Sequence, residues 1–313
     1  MRPAETVPSG VGGGRTQSGV VFILGAARSG TTLLYKALCL HPNAAYVSNW
    51  VARFPRVPSL ASGNRLAHRA EALRRSAWFA GGGQAYVYGR RRSPLERAFP
   101  SPVEGEPVYA SAGVPRWPAP DFASEDAAAA LRRSFERIRR ASGGSILVSK
   151  RISNNARIPF LARTFPSARF VVIVRDGRAV AQSLSRVDWW PGAELAWTDI
   201  TPREWERRGG DPWELCARSW VDDVARIEAG LRVVPEDRVR TISYEDFVTD
   251  PLGTIGDVGV FAGLPATGRW GAALAALSFP NAEQAWRTTL PPDAIETITS
   301  IQRETLLEHG YVP

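Results

Sequence analysis

Cysteine, histidine and long apolar segments are scarce in this chain, and each scarcity excludes a class of protein. The two cysteines, Cys39 and Cys216, lie in apolar helical patterns, so they form neither a disulfide framework nor a CxxC metal motif. Three histidines without HxxxH or HExxH spacing argue against a zinc site. Apolar runs such as residues 20–24 are too short to span a bilayer, and the opening segment lacks the apolar core of a signal peptide. We expect a cytoplasmic protein with no metal and no membrane partner.

Lysine is the other rare residue, although the chain is strongly basic. Its 39 basic residues exceed the 31 acidic ones and give a net charge of +8, yet only Lys36 and Lys150 are lysines. A basic field concentrates anionic ligands, but a nucleic-acid binder would show a basic stripe with interleaved aromatics. The arginines here are scattered among acidic residues. We therefore expect no nucleic-acid partner, and the sequence leaves a homodimer open.

Apolar runs of strand length alternate with helical patterns along the chain. Three such runs are each followed by a helix pattern: residues 20–24 by 31–40, 145–149 by 158–164, and 169–174 by 178–186. This alternation predicts an α/β fold of the P-loop type, a parallel sheet flanked by helices in three layers. Residues 1–19 are predicted to be a flexible tail. Residues 20–313 are predicted to be a single domain with an insertion or lid near 50–125, which is rich in Arg, Pro and Gly.

A glycine-bounded loop joins the first predicted strand to the first helix, with the sequence GAARSGTT from residue 25 to residue 32. In that position the backbone N–H groups and the positive helix end converge, and they bind an anion. The frame is similar to a Walker A loop, but Thr31 stands where that motif has lysine, and the basic residue is Arg28. Arg28 can make planar, bidentate contacts to phosphosulfate oxygens. The loop therefore predicts an anion site that differs from a kinase loop.

A second anion-binding element follows the strand over residues 169–174. Arg175 comes directly after this strand, and Ser183 lies eight residues further, in the next helix. Ligands of open α/β sheets bind along the carboxyl edge, so one arginine and one hydroxyl can hold a second phosphate there. The alternative is a helix capped by Asp176 with arginines at the surface.

These two elements resemble the nucleotide site of the sulfotransferases that use 3′-phosphoadenosine 5′-phosphosulfate (PAPS), in the branch that includes bacterial, tyrosylprotein and carbohydrate enzymes. The segment RSGTTLL followed by His41-Pro42 resembles the phosphosulfate loop, and the Arg-x7-Ser spacing resembles the 3′-phosphate element. The resemblance implies transfer of a sulfuryl group from PAPS to a hydroxyl of a small-molecule acceptor, a sugar or secondary metabolite, with PAP as the product. It assigns the 5′-phosphosulfate to Arg28, Ser29, Gly30, Thr31 and Thr32, and the 3′-phosphate to Arg175 and Ser183.

Sulfuryl transfer also needs groups that stabilise the departing phosphate and a base for the acceptor proton. Arg28 and Lys150 are the candidates for the first task, and Lys150 resembles a family lysine at this strand end. The glutamate of the tyrosylprotein branch aligns with Ser48 or Asn49, and neither is a normal base. The named candidates for the base are therefore His68 and Asp188, with four further possibilities: Glu96, Glu104, Glu106 and Asp121.

Trp189 and Trp190 lie in a proline-bounded segment and could line an acceptor pocket, because aromatic walls suit sugars and flat apolar molecules. Core packing is the alternative for these rings. Two other functions also stay open. One is a P-loop kinase or NTPase, which the missing Walker lysine disfavours. The other is a PAP-binding module without catalysis, which the missing glutamate suggests.

Overall fold

A single parallel sheet organises the chain in the computed structural model, which describes residues 19–79, 93–119, 121–279 and 284–312. Its strand order is β2-β3-β1-β4-β5. The strands are β1 (Gly19–Leu24), β2 (Ala44–Tyr46), β3 (Ile146–Lys150), β4 (Arg169–Val174) and β5 (Val239–Ser243). In the centre, Ile23 of β1 lies opposite Lys150 of β3 on one side and opposite Val171 of β4 on the other. The predicted α/β parallel sheet is confirmed.

Helices fill the connections between the strands. Those before β3 are α1 (Thr31–Cys39), α2 (Asn49–Arg53), α3 (Gly63–Arg69), α4 (Glu71–Trp78), α5 (Pro94–Ala98), α6 (Glu106–Ser111) and α7 (Glu125–Ser142). Those between β3 and β5 are α8 (Ile158–Thr164), α9 (Gly177–Leu184), α10 (Pro202–Arg207) and α11 (Pro212–Leu231). The last are α12 (Tyr244–Thr249), α13 (Pro251–Ala262), α14 (Gly268–Ala275), α15 (Ala285–Thr289) and α16 (Pro292–Glu308). No helix of the described residues has the length and apolarity needed to cross a bilayer.

Side chains of each strand alternate between the two faces of the sheet, and both faces are covered. Ile23 of β1 packs in the same cluster as residues of α1, α13 and α14. Its neighbour Phe22 packs in the opposite cluster with residues of α7 and α8, where its ring stacks on Phe170 with centroids 5.4 Å apart. Because both faces of the strands are buried, the strands are continuous apolar runs in the sequence. The predicted arrangement in three layers is confirmed.

The segment predicted as an insertion or lid packs against both layers. Trp78 and Phe79 belong to the cluster around α1, whereas Val108 and Tyr109 belong to the cluster around α7. Trp78 also donates its indole N–H to the Pro100 carbonyl at 2.8 Å. Within this segment residues 80–92 and residue 120 lie outside the described residues, as do residues 1–18 of the predicted tail. The single domain with a lid stays a prediction.

Candidate active site

A cavity of about 790 Å³ lies at the carboxyl edge of the sheet, where β1, β3, β4 and β5 end. Its lining includes Arg28 and Thr32 from the loop after β1, Lys150 from the end of β3, and Arg175 and Tyr244 from the ends of β4 and β5. Since β3 and β4 lie on opposite sides of β1, this edge is a topological switch point, where open α/β sheets bind ligands. The structure thus brings the glycine-bounded loop, Arg175 and Lys150 to one cavity, whereas Ser183 is not part of its described lining.

The loop between β1 and α1 has the backbone geometry of an anion cradle. Gly30 has φ +87°, and Arg28 has φ +70°, which is uncommon for a residue with a Cβ. A Cβ on Gly30 would lie 2.7 Å from the Tyr244 ring, and one on Gly25 would lie 2.6 Å from the Ile173 carbonyl oxygen. No side chain caps α1, so the first N–H groups of that helix can serve an anionic ligand. The loop therefore fits a phosphosulfate group.

Two side chains from other elements hold the start of this loop. Asn155, in the 3₁₀ helix Ile152–Ala156, donates to the Gly25 carbonyl at 3.1 Å and accepts the Gly25 N–H at 3.4 Å. Asp223 of α11 accepts the Ala27 N–H at 3.3 Å and the Asn155 side-chain amide at 3.0 Å. Burial raises the pKa of Asp223 to about 7 against the lowering effect of those two hydrogen bonds. The sequence analysis did not identify Asn155 or Asp223.

Arg175 and Ser183 contact the same loop. The Arg175 guanidinium donates to the Arg28 carbonyl at 2.8 Å and lies 4.1 Å from the centroid of the Tyr244 ring. The Ser183 hydroxyl accepts from Arg28 Nε at 2.9 Å. The predicted elements for the two phosphates are therefore adjacent. Asp176 also caps α9, as the alternative interpretation had it, but Arg175 and Arg178 are buried and do not lie at the surface.

Among the loop residues assigned to the phosphosulfate, Ser29 is placed differently from the others. Gly30, Thr31 and Thr32 line the cavity together with Arg28. The Ser29 side chain is fully buried, and its N–H donates to the Ala26 carbonyl at 3.2 Å. The assignment of Ser29 to the 5′-phosphosulfate stays a prediction, and its hydroxyl does not face this cavity.

Lys150 lies at the centre of the lining and is paired with a carboxylate. It is only 4% exposed, and its ammonium donates to Glu104 at 2.5 Å and to the Thr32 hydroxyl at 3.3 Å. Glu104 also pairs with Arg151, and its side chain is 35% exposed. Burial raises the pKa of Glu104, but Lys150 and Arg151 lower it by more, to about 2. A carboxylate and an ammonium thus stand side by side next to the anion loop.

A second carboxylate anchors the segment that carries Glu104. Glu106 pairs with Arg157 at 2.6 Å and with Arg151 at 3.1 Å, and Arg157 is fully buried. Burial raises the pKa of Glu106, and the hydrogen bond from Arg157 and the nearby guanidinium charges lower it overall. Glu106 is not part of the cavity lining. It fixes the chain around Glu104 against the end of β3.

The structure does not bring His68 or Asp188 to this cavity. The His68 ring lies 3.3 Å from the Ala44 carbonyl, and burial together with Arg74 lowers its pKa to about 4. Asp188 is exposed in the turn after α9. Of the four further possibilities, Glu104 is part of the described lining, whereas Glu96 is bound in the capping box of α5. His41, which the resemblance makes structural, is buried with its ring 2.9 Å from the Pro265 carbonyl.

Tryptophans form much of the remaining lining. Trp189 and Trp190 both line the cavity, with ring centroids 6.2 Å apart, but Trp190 is 5% exposed and also packs in a core cluster, so their place in an acceptor pocket stays a prediction. Trp117 and Trp197 line it as well. Within the described part of the chain, no group of three or more His, Cys, Asp or Glu side chains could hold a metal ion.

Comparison with known proteins agrees with this fold. Sulfotransferase STF9 from Mycobacterium avium superposes with a TM-score of 0.57 at 17% identity, covering 96% of this chain and 78% of that one. Sulfotransferase STF1 from Mycobacterium tuberculosis superposes with a TM-score of 0.51 at 16% identity, covering 91% of this chain and 76% of that one. No curated protein matches by sequence. The model of the sulfotransferase family matches residues 20–268, from β1 into α14, so the chain belongs to that family and is a PAPS-dependent sulfotransferase.

Proposed function

We propose that the enzyme transfers the sulfuryl group of PAPS to a hydroxyl of a small-molecule acceptor by in-line displacement. The main support for this proposal is that one cavity is lined by the anion loop, the buried Lys150 and the carboxylate of Glu104. Sulfuryl transfer, like phosphoryl transfer, depends mainly on positioning and on stabilising charge. The cavity offers both, since fixed backbone amides and cations line one end and a carboxylate lies beside them.

The donor is held by residues of the two anion elements. Arg28 and the first N–H groups of α1 bind the 5′-phosphosulfate, and Arg175 with Ser183 binds the 3′-phosphate. The contact between Arg28 and Ser183, at 2.9 Å, supports this assignment because both groups can then reach one nucleotide. Charge-assisted hydrogen bonds from arginine to phosphate are the strong ones, so these side chains provide most of the binding free energy.

Lys150 and Glu104 carry the chemistry. The acceptor oxygen bonds to sulfur while the bond from sulfur to the bridging phosphate oxygen breaks, and Lys150 stabilises the negative charge that forms on that bridging oxygen. Glu104 takes the proton of the acceptor hydroxyl. When an anionic donor draws Lys150 toward itself, Glu104 loses one of its two cations and its pKa rises toward the usual range. The ion pair in the structure therefore represents the resting state of both groups.

The two alternative functions have less support. A kinase would need the lysine that Thr31 replaces in the loop, and the family model that matches is that of the sulfotransferases. A PAP-binding module without catalysis was suggested by the missing glutamate near residue 48. Glu104, which comes from a different part of the chain, provides a carboxylate at the site.

Calorimetric titration with PAP and with 5′-AMP tests the proposal, because the two ligands differ in the 3′-phosphate alone. We expect wild-type enzyme to prefer PAP. Arg175→Ala should weaken PAP binding about 10- to 100-fold, since hydrogen bonds to charged groups contribute about 1.5–3 kcal/mol, and Ser183→Ala should weaken it less. Arg186→Ala, at an exposed arginine just beyond α9, is the matched control and should bind PAP like wild type. Equal binding of PAP and 5′-AMP, with tight binding of magnesium-ATP, would overturn the proposal.

A further inference from the structure

Part of the cavity lining is aromatic and apolar. Trp117, Trp189 and Trp197 belong to it, together with aliphatic side chains such as Ile152 and Leu195. Trp189 is 38% exposed, so a broad ring face is available to a ligand. Ligands that bury most of their surface against such walls are themselves largely apolar. Glu104 belongs to the same lining, so an acceptor bound in this cavity can contact both the tryptophans and the carboxylate.

Several charged and hydroxyl side chains of the described lining are already bonded to protein groups, whereas the buried indole N–H groups of Trp117 and Trp197 have no hydrogen-bond partner among the described residues. The pairs are Arg116 with Glu194, Asp222 with Arg226 at 2.7 Å, Ser153 with Glu106 at 3.0 Å, and Ser219 with the Leu215 carbonyl at 2.8 Å. A sugar would bring several hydroxyls, and each one buried without a partner costs about 1–3 kcal/mol. The ion pairs also leave this region close to neutral. An uncharged acceptor with few polar groups fits it better than a sugar does.

The surroundings of Glu104 favour an acidic hydroxyl. When Lys150 turns to the donor, Glu104 still pairs with Arg151, and that guanidinium keeps the pKa of the carboxyl below its usual range, so the carboxylate is a weak base. A phenol ionises at a pKa of about 10, as tyrosine does, whereas water ionises near 15.7 and an aliphatic hydroxyl resembles water in this respect. General-base catalysis depends on how well the two pKa values match. A phenolic proton is therefore the easier one for this site to remove.

We infer, on the basis of the proposed sulfotransferase activity, that the acceptor is an uncharged phenol whose planar ring packs against Trp117, Trp189 and Trp197. Its hydroxyl points toward Glu104 and Lys150. The phenolic oxygen forms the new bond to sulfur, its proton passes to Glu104, and the electron pair of the broken bond stays on the bridging oxygen of PAP. The product is an aryl sulfate.

An acceptor panel of matched size tests the inference. The probes are 2-naphthol, its saturated analogue decahydro-2-naphthol, and methyl glucoside, each supplied with PAPS while sulfated product is measured by mass spectrometry. We expect kcat/KM for 2-naphthol to exceed that of the saturated alcohol at least about tenfold, because aromatic contacts add about 0.5–1.5 kcal/mol and the phenol gives up its proton more easily to a weak base. A higher kcat/KM for decahydro-2-naphthol or methyl glucoside would overturn the inference.

Variants of the aromatic wall provide the second test. Trp117→Ala and Trp197→Ala should each raise KM for 2-naphthol about three- to tenfold and leave KM for PAPS unchanged, and Trp117→Phe should recover most of the loss. Trp205→Phe is the control, because that indole donates to the Asp211 carbonyl and lies outside the described lining. Unchanged KM for 2-naphthol in both alanine variants would contradict the inference.

Titration of the same wild-type preparation with PAP separates the two possible failures. Suppose that wild-type enzyme binds PAP, that Arg175→Ala binds it more weakly as expected, and that 2-naphthol is not sulfated. The phenol inference is then wrong, and the proposed sulfotransferase site stands. If PAP does not bind in preference to 5′-AMP, the proposed function is wrong and the inference fails with it.

Discussion

Glutamine in place of Glu104 tests the central assignment, because it keeps the size of the side chain and removes its charge and its capacity to take a proton. A general base contributes about 10²- to 10⁴-fold to the rate, so kcat should fall by that factor, which corresponds to about 3–5 kcal/mol in the barrier. KM for PAPS should stay the same or fall, since Lys150 is then free to bind the donor.

The same change also affects stability, and this effect must be separated from catalysis. Without the carboxylate, Lys150 at 4% exposure loses its paired anion, whereas Arg151 at 19% exposure keeps its ion pair with Glu106. Removing one partner of a fully buried pair costs about 3–5 kcal/mol, but the Glu104 side chain is 35% exposed, and glutamine can still accept hydrogen bonds. We therefore expect a loss of about 1–2 kcal/mol in the free energy of unfolding.

Glu106→Gln is the matched control for this experiment. Glu106 pairs with the fully buried Arg157 and with the same Arg151, but it does not line the cavity. We expect this variant to lose about 3 kcal/mol in stability, more than Glu104→Gln, while its kcat at saturating PAPS falls by less than about tenfold, because Glu106 positions the segment of Glu104 without taking part in the chemistry. The assays are PAP release for kcat and urea denaturation for stability. If kcat falls in proportion to the loss of stability in both variants, or if Glu104→Gln keeps its kcat within threefold, Glu104 is structural and the reasoning is refuted.

Two further predictions concern the loop itself. The pKa of Asp223 is raised from 3.8 to about 7, so the folded state binds more protons than the unfolded state between these values, and stability should fall as pH rises from about 4 to about 7. Asp223→Asn should remove this part of the pH dependence. In urea denaturation, the free energy of unfolding of the variant relative to that of wild type should therefore be higher at pH 8 than at pH 4. If the free energy of unfolding of the variant depends on pH as steeply as that of wild type, the argument is contradicted. Gly30→Ala places a Cβ 2.7 Å from the Tyr244 ring at a φ of +87°, so calorimetry should show PAP binding at least about tenfold weaker, with a folding cost of about 1–2 kcal/mol. Gly256→Ala in α13, where a Cβ meets no atom within 4 Å, should leave PAP binding unchanged, and an equal loss in both variants would count against the anion cradle.

Besides the three apolar runs described above, the sequence predicts a short strand over residues 238–242, so four of the five strands have a pattern of their own. β1, β3 and β4 are buried on both faces and therefore form continuous apolar runs, and β5 precedes a clear helix. β2 has only three residues, of which Ala44 and Ala45 have little strand preference, so no local signal marks it. It joins the sheet because β3 offers it a parallel partner, which is a long-range contact.

The same difference between local sequence patterns and long-range contacts explains which site residues could be predicted. Arg28 and Arg175 follow directly after strands, so their place at the carboxyl edge can be predicted from the strand pattern alone. Glu104 lies 46 residues before Lys150 in a segment rich in proline and glycine, and the ion pair between them has no periodic signal. The sequence could therefore give Glu104 only as one of several carboxylates. His68 was favoured for its residue type, but burial beside Arg74 makes it a poor base and its ring faces β2 rather than the cavity.

Glu104, Arg116 and Trp117 all come from the connection between β2 and β3, whereas the groups assigned to the donor come from the ends of the strands and the turns that follow them. The proposed base and one wall of the proposed acceptor site are therefore encoded together in a short continuous stretch. Exchanging residues 104–117 between members of this family should shift the preference for acceptors, and exchanging the stretch of Trp189 and Trp197 as well should shift it further. The nucleotide site, built on the sheet, would remain with its original chain.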